Sequence, residues 1–293
     1  MVKRFNAVDV VIIIIISILT ISCLVPILNT IAISLSDKTS ATLGRVYFTP
    51  VGFNTQAYKE ILRDQRFFDA FGVSVLRVVL GGSLNVFLSI MLAYPLSKSA
   101  REFPMRTAYC WFFVFTMLFN GGLVPNFLLI KTLGQMDTIW ALVLPGAVNV
   151  FNTLILMNFY KGIPKSLEEA AYVDGAKPFY ILFRIFVPLA KASIATIALF
   201  SCVNHWNAFF DGKIYINTPA RQPLQTYMQS LTFQLSMTAI QNLTPEEIAK
   251  KLEMSNITFN ASKAIVSMIP IVAIYPFLQN YFVTGVVMGA VKE

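Results

Sequence analysis

Residues 166–189 read SLEEAAYVDGAKPFYILFRIFVPL, a charged stretch that lies between two long apolar runs. Ser166 and Glu169 form an S-x-x-E pattern, which predicts a capping box at the start of a helix. Gly175 is typical of a helix end, because glycine readily adopts the left-handed conformation found there. Pro178 suits the first turn of a following helix. The stretch therefore predicts a short helix, a sharp turn and a second helix, which Pro188 should kink.

The rest of the chain is apolar for its length. Of its 293 residues, 56% are hydrophobic and 13% are charged, whereas a soluble domain carries about 25% charged residues. A helix needs roughly 20 apolar residues to span a bilayer. Uncharged runs near that length occupy residues 10–36, 78–97, 107–130, 138–160, 192–210 and 264–291. We therefore predict an all-α membrane protein with six transmembrane helices. The first run exceeds the ~7–15 apolar residues of a signal peptide, which favours a retained span over a cleaved signal.

The net charge of +8 is distributed over the predicted loops rather than gathered in one patch. The basic residues at the ends of the predicted spans include Lys3, Arg4, Lys98, Arg101, Arg106, Lys161, Lys165, Lys177 and Arg184. Lysine and arginine in short loops favour the cytoplasmic side. Both termini and the segment between spans 4 and 5 are therefore predicted to be cytoplasmic, and segments 37–69 and 211–263 to lie outside. The charge indicates a membrane topology and no nucleic-acid partner.

The residues needed for several common chemistries are missing. Cys23, Cys110 and Cys202 fall within the predicted spans without CxxC spacing, as expected of small apolar residues. His205 is the only histidine, which argues against a histidine-based metal site or a Ser-His-Asp triad. No GxxxxGK[ST] phosphate loop occurs. We therefore predict a non-catalytic chain that holds no metal or cofactor of its own.

Several polar or helix-breaking residues fall near the outer ends of the predicted spans. Gly121, Gly122 and Pro125 should loosen span 3, which indicates either a translocation path or a simple helix end. Span 4 likewise holds Pro145 and Gly146, which suit a broken helix beside a substrate, although a single proline is ordinary in such spans. The candidate residues of a substrate path are Arg77, Asn120, Asn204, His205, Trp206 and Asn207. Arg77 either snorkels or pairs with a structural partner, or it faces a polar path. Trp206 either belongs to an interfacial aromatic belt or stacks on a sugar.

The predicted outer segment 211–263 is long and has no evident core of its own. A helix start is expected at Thr244-Pro245-Glu246-Glu247. Long loops of this kind usually bind something. We therefore name Lys213 and Arg221 as candidate contacts to an external partner.

The order and spacing of the motifs in 166–189 are more specific than any one of them. Glu169-Ala170-Ala171, Asp174-Gly175-Ala176 and Ile185-x-Val187-Pro188 together resemble the EAA signature of binding-protein-dependent ABC importer permeases, with Val187 replacing a leucine. The closing TGVVMGAVKE resembles the sugar permeases of the maltose-importer class. FNGGLVPNFLLIKTLG, MDTIWALVLPGAVNVFN and HWNAFFDGKIYI resemble a narrower branch that serves oligosaccharides and polysaccharide fragments, including alginate and pectin-type uronides.

This resemblance implies a type I ABC importer permease fold, with residues 1–71 preceding a core at 72–281 and a tail at 282–293. The coupling segment would be 166–178, and an outer loop at 211–263 would reach the binding protein. The implied partners are a second related permease, two ATPase subunits that hold ATP and magnesium, and an extracytoplasmic solute-binding protein that delivers a saccharide. Lys292 and Glu293 would approach the ATPases. The implied ATPase-coupling residues are Glu168, Glu169, Ala170, Ala171, Asp174, Gly175 and Pro188.

Two other classes of protein are weighed against this interpretation. A membrane-embedded enzyme acting on lipid-linked sugars would need convergent acids or a metal site near one interface, and the only dense acid pair, Glu168 and Glu169, is expected to cap a helix. An ion-coupled secondary transporter would need buried carboxylates, which the uncharged runs do not contain.

Overall fold

The computed structural model describes residues 7–237 and 257–290. Within these ranges the secondary structure is helical and contains no strand. The chain divides into two compact units: Met1–Phe67 with Met228–Ile269, and Phe68–Tyr227 with Pro270–Glu293. The predictions made for the helix start at 244–247 and for Lys292 and Glu293 lie outside the described residues. An all-α fold is confirmed for the part of the chain that the structure describes.

The first unit begins with a long apolar helix. Helix α1, Ala7–Ser34, carries a run of isoleucines that are about half exposed within this chain, as expected of side chains that face lipid. Helix α2, Lys38–Thr42, is capped by Asp37, whose carboxylate accepts a hydrogen bond from Ser40 N at 2.9 Å. Helix α3 spans Gln56–Arg63.

Helix α4, Gln65–Ser97, is the second long unbroken apolar helix. The helices α5, Arg106–Leu118, and α6, Leu123–Thr132, meet at an angle of 109°. Gly122 lies in this break with φ of +89°, a conformation that favours glycine. The predicted interruption of span 3 is therefore confirmed, and it is a sharp bend rather than a loosened helix.

The next apolar run is also interrupted. Helix α7, Ile139–Val143, ends before Pro145, and helix α8, Val150–Lys161, begins after it. The remaining helices of the described chain are α9 (Lys165–Val173), α10 (Pro178–Ile181), α11 (Val187–Leu189), α12 (Lys191–Asn207), α13 (Phe210–Tyr215), α14 (Leu224–Met237) and α15 (Ile257–Ala290). Among the described residues, α1 and α4 are each long and apolar enough to cross a membrane. The number rises to four if each of two bent pairs counts as one span: α5 with α6, and the segment Pro178–Leu189 with α12. The count of six spans stays a prediction.

The core of the second unit lies where α4, α8 and the segment 181–197 pack together. Leu156, Ile181 and Ile197 are fully buried there. Ala93 and Ala190 are equally inaccessible. Small residues at such positions let helix backbones approach closely, which is how helices associate within a membrane.

Candidate functional site: the helix-turn-helix at 165–190

Helix α9 ends in a tight glycine-dependent turn. Gly175 has φ of +80°. Its N–H donates to Tyr172 O at 3.0 Å, and Ala176 N donates to Ala171 O at 2.9 Å. This pair of hydrogen bonds is the Schellman motif, which satisfies carbonyls that the helix end would otherwise leave unpaired. Pro178 then begins α10. The predicted turn and the positions of its glycine and proline are confirmed.

The predicted capping box is wrong. Helix α9 begins at Lys165, with Pro164 at the N-cap and no side-chain capping hydrogen bond. Pro164 occupies the N-cap with its φ fixed at −55°. The helix has therefore already begun at Lys165, and Ser166 lies inside it rather than at the cap. Ser166 and Glu169 are exposed on the helix instead.

Glu168, which was expected to cap the helix together with Glu169, has a different role. Its carboxylate forms an ion pair with Lys98 and accepts a hydrogen bond from Tyr94 Oη at 3.1 Å. The side chains of Lys98 and Glu168 are only 12% and 15% exposed. These contacts attach the base of α9 to the end of α4, about 70 residues earlier in the chain.

An aromatic cluster continues this attachment into the core. The Lys98 ammonium lies over the rings of Tyr94 and Phe186, at 4.0 and 4.8 Å from their centroids. Phe186 also meets Tyr94 and Tyr160 edge-on, at 5.0 and 5.3 Å between centroids. Since Tyr94 is on α4 and Tyr160 on α8, Phe186 joins the segment after α9 to both helices.

Phe186 belongs to a π-helical turn, Leu182–Phe186, that separates α10 from α11. Such turns insert an extra residue into a helix and occur frequently at functional sites. Pro188 follows directly, and the segment Pro178–Leu189 meets α12 at 84°. The predicted kink is therefore confirmed, and the bend is close to a right angle.

The two faces of α9 have opposite environments. Val173 is 88% exposed, and Leu167, Ala170 and Tyr172 are also exposed. Ala171, by contrast, is buried against the core. Of the two alanines named as implied ATPase-coupling residues, Ala170 is therefore at the surface and Ala171 is not, and the small side chain of Ala171 lets α9 pack closely on its own chain. Asp174 and Gly175 line a surface cavity of about 680 Å³ beyond the turn.

A buried polar network lies deeper in the second unit. Asn85 Nδ2 donates to the carbonyls of Gly146 and Ala147 at 3.4 and 3.3 Å. Asn152 Nδ2 donates to Asn85 Oδ1 at 2.9 Å, and Ser201 Oγ donates to the same oxygen at 2.6 Å. Asn85 therefore supplies hydrogen bonds to backbone that the break at Pro145 leaves outside a helix, as irregular backbone at membrane depth requires.

Arg77 has a structural partner. It is 3% exposed, forms an ion pair with Asp211, and donates to Ala208 O at 3.2 Å. This confirms structural pairing, one of the two interpretations of this residue. Its guanidinium therefore links α4 to the start of α13.

His205 and Trp206 are packed inside the unit. The Trp206 ring is 4% exposed and contacts Phe71 edge-on at 5.7 Å, so an interfacial belt position is wrong. The ring of His205 lies against Gly81, where a Cβ would come within 2.5 to 2.8 Å of its atoms. Glycine at position 81 therefore lets α4 and α12 approach each other.

The three asparagines of the predicted substrate path are exposed. Asn204 and Asn207 lie on the last turn of α12, and Asn120 lies in the α5–α6 break, where its side chain accepts a hydrogen bond from Gly122 N at 2.9 Å. Their role in a substrate path stays a prediction.

Arg221 is engaged by a residue that the sequence did not point to. Asp137, which has a left-handed φ of +61°, accepts hydrogen bonds from Thr218 N at 2.9 Å, Thr218 Oγ1 at 2.6 Å and Arg221 Nη1 at 3.2 Å. The hydrogen bonds from Thr218, with Asn217 N and the charge of Arg221 adding to them, hold the pKa of Asp137 below its usual value. Lys213 is exposed on α13.

Sequence reasoning did not identify Lys98, Tyr94 or Asp137. Lys98 offered one signal, since a lysine directly after a 20-residue apolar run needs either water or a partner. Asp137 offered none, because its partners are about 80 residues away. Among the residues that the structure describes, no group of three or more potential metal ligands is found.

The fold and this site define the class: an all-helical membrane protein with an exposed helix-turn-helix fixed to one end of its core. Residues 85–288 match the family described as binding-protein-dependent transport system inner membrane component. The chain belongs to this family. It is a multi-pass protein of the bacterial inner membrane and a permease component of a sugar ABC importer, the class of its relatives.

Similar proteins extend over almost the whole chain. Protein LplC of Bacillus subtilis (strain 168) is 37% identical, over 92% of this chain and 89% of that protein. The polygalacturonan/rhamnogalacturonan transport system permease protein YtcP of the same organism is 36% identical, over 92% and 93%. A chain in the crystal structure of a bacterial ABC transporter involved in the import of the acidic polysaccharide alginate is 29% identical, with a TM-score of 0.82 over 96% of this chain and 99% of that one. The type I permease fold implied by the resemblance is therefore confirmed.

Proposed function

We propose that this chain translocates an oligo- or polysaccharide across the cytoplasmic membrane as one permease of an ATP-driven importer, after delivery by a solute-binding protein. It pairs with a second related permease and rests on two ATPase subunits, which hold the ATP and magnesium. Six spans, cytoplasmic termini and the boundaries at residues 71/72 and 281/282 belong to this proposal. Helix α9 is the coupling helix between spans 4 and 5, and it docks on an ATPase subunit.

The observation that carries the proposal is the contrast between the two faces of α9. One side is fixed by the Glu168–Lys98 ion pair and the buried Ala171. The other presents Glu169 and Val173, one turn apart, to solvent, and Leu167 is also exposed in the first turn. Exposed apolar side chains beside an acid, on a helix held from behind, suit insertion into a groove of another protein.

The contacts of α9 suggest how its movement reaches the membrane. A displacement of α9 pulls on α4 through Glu168, and on α4 and α8 through Phe186. ATP and the binding protein can shift the transporter between inward- and outward-facing forms only if each binds one form more tightly. In the proposed mechanism both favour the outward-facing form.

An anionic uronide is the substrate class that the relatives favour. The alginate importer is described as acting on an acidic polysaccharide, and the polymers named for YtcP contain galacturonic acid. The exposed Lys213 and Arg221 then serve as contacts on the outer side. Uptake of alginate and pectin fragments should exceed that of neutral oligosaccharides of equal length. Equal uptake of both classes would contradict a uronide substrate.

Docking of α9 is tested by a charge reversal on its exposed face. In the intact transporter, Glu169→Lys should reduce co-purification of the ATPase subunits and abolish uptake, because it places a cation where the docking surface carries an acid. Glu60→Lys, an exposed position on α3, is the matched control and should leave both unchanged. Normal assembly and uptake of the Glu169→Lys transporter would contradict the assignment of α9.

A further inference from the structure

A polar cavity of about 330 Å³ lies beside the base of α9. Its charged lining consists of Lys98, Arg106, Lys161, Lys165, Glu102 and Glu168. Four cations against two acids give a lining charge of +2. The hydrogen bond from Ser99 N, and then the charge of Lys165, hold the pKa of Glu102 below its usual value, so this charge count applies at neutral pH. The excess of cations favours an anionic ligand.

Several donors in this lining are uncommitted within the described part of the chain. Arg106 Nε donates to Leu96 O at 2.9 Å, which orients the guanidinium, while its two Nη atoms make no hydrogen bond to a described residue. Lys161 forms no ion pair with a described residue. An oriented guanidinium and an ammonium on the same cavity suit an anion with several oxygens.

The Tyr160 hydroxyl provides an independent observation. Tyr160 is 2% exposed and lines the same cavity. Its hydroxyl is buried and has no hydrogen-bond partner among the described residues. A buried hydroxyl without a partner is unfavourable and calls for an explanation such as a water or an ion. An anion in the cavity would accept its hydrogen bond.

We propose that this cavity binds a phosphate group through Tyr160 Oη, Lys161 Nζ and the Nη atoms of Arg106. A phosphate group offers several acceptor oxygens to donors that approach from different elements, whereas a carboxylate offers two. Two sources can supply it: inorganic phosphate from the cytosol, or the headgroup of an anionic phospholipid, since basic pockets on the cytoplasmic side suit such headgroups. The bound group joins the end of α8 to the 98–106 link beside the base of α9.

The site is separate from the surface proposed to dock on the ATPase. The exposed Glu169 and Val173 do not line the cavity. Its cytoplasmic location rests on the proposed topology, but its chemistry does not depend on which saccharide is carried. Loss of anion binding is therefore distinguishable from loss of coupling, because the former leaves assembly and uptake in place.

The test is hydrogen–deuterium exchange of the intact transporter, followed on peptides that cover residues 97–106 and 160–168. The transporter is placed in phosphatidylcholine nanodiscs with increasing inorganic phosphate, against chloride at equal ionic strength, and separately in nanodiscs that contain phosphatidylglycerol. Phosphate bound to the ATPase subunits is excluded by the Tyr160→Phe and Lys161→Gln variants, which alter the cavity and leave the ATPase subunits unchanged. Protection in inorganic phosphate identifies a free anion, and protection only with phosphatidylglycerol identifies a lipid headgroup. Either result supports the site.

Two variants should weaken anion binding, a third should strengthen it, and a control should leave it unchanged. Tyr160→Phe keeps the ring and removes the hydroxyl. The anion concentration that gives half-maximal protection, the midpoint, should therefore rise about fivefold, the size of one net hydrogen bond. Lys161→Gln should raise it about threefold or more, and Glu102→Gln should lower it. Arg101→Gln, an exposed residue of the same link that does not line the cavity, should leave it unchanged. No protection in either medium, or equal midpoints for Tyr160→Phe and wild type, would overturn the proposal.

Discussion

The ion pair between Lys98 and Glu168 should determine whether α9 stays attached to the core. Glu168→Ala leaves the Lys98 ammonium without its counter-ion and removes the acceptor of the Tyr94 hydroxyl. Removing one partner of a buried pair costs about 3–5 kcal/mol. The two side chains are 12% and 15% exposed, and water can replace part of the lost interaction. We therefore expect a cost of about 2–3 kcal/mol in the free energy of α9 opening.

Amide exchange in the intact transporter measures this free energy locally. A factor of ten corresponds to about 1.4 kcal/mol, so Glu168→Ala should accelerate exchange of the amides in 167–173 by roughly 30- to 150-fold. If α9 docks on the ATPase as proposed, uptake should also fall, because α9 no longer moves together with α4. A Lys98→Met, Glu168→Leu double variant should recover most of the protection, because apolar side chains of similar size often replace a buried ion pair at little cost.

A second ion pair near the base of α9 provides the control. Lys165 and Glu102 are 3.9 Å apart, with side chains 71% and 49% exposed. Exposed pairs contribute about 0–1 kcal/mol, so Lys165→Ala should change exchange in α9 by no more than a few-fold. The reasoning is refuted if Glu168→Ala exchanges at the wild-type rate, or if the double variant exchanges as fast as Glu168→Ala.

Three further predictions concern other parts of the chain. Gly175→Val should lower the thermal midpoint of the transporter more than Gly175→Asn, because the left-handed φ of +80° costs a branched residue about 1–2 kcal/mol and asparagine less; equal midpoints would contradict the strain argument. Arg77→Leu should destabilise the transporter in a detergent melting assay by leaving the Asp211 carboxylate without its cation, and adding Asp211→Leu should restore part of the loss; a double variant less stable than Arg77→Leu would contradict this. Asp137 has a depressed pKa in the folded state, so its contribution is present above its unfolded pKa and is lost as pH falls through the folded pKa. Asp137→Asn should therefore speed amide exchange around Thr218 near neutral pH but not in strong acid, and a difference that persists in acid would contradict the prediction.

The turn after α9 was predictable because its determinants are local. Gly175 adopts the left-handed conformation that the Schellman motif requires. Pro178 suits the first helical turn because backbone N–H groups have no partner within the helix there, so the missing N–H of proline costs nothing. Both effects operate within a few residues, so the sequence contains all the information they need. The start of α9 was predicted wrongly for a related reason. The S-x-x-E pattern was given priority over Pro164, whose fixed φ places the helix start earlier.

The attachment of α9 could not be predicted in the same way. The partner of Glu168 is separated from it by 70 residues, and the partner of Asp137 by more than 80. Which charges meet depends on how helices distant in the sequence pack together, and therefore on the fold as a whole. Burial of Trp206 is a similar case, because an aromatic residue near a span end satisfies the pattern of a lipid belt and of an internal contact equally well.

In the proposed mechanism, the geometry after α9 limits how a docked ATPase would drive the membrane helices. The segment from α10 to α12 contains the π turn at 182–186 and the 84° bend before α12. It cannot transmit a movement as one straight rod, because a force along α10 is not directed along α12. Phe186 is instead held between the rings of Tyr94 and Tyr160. Packed aromatic side chains resist compression, so a displacement of this segment must move α4 and α8 with it. If α9 couples to an ATPase as proposed, transmission through packed side chains rather than along one backbone is compatible with a proline-containing bend in this segment.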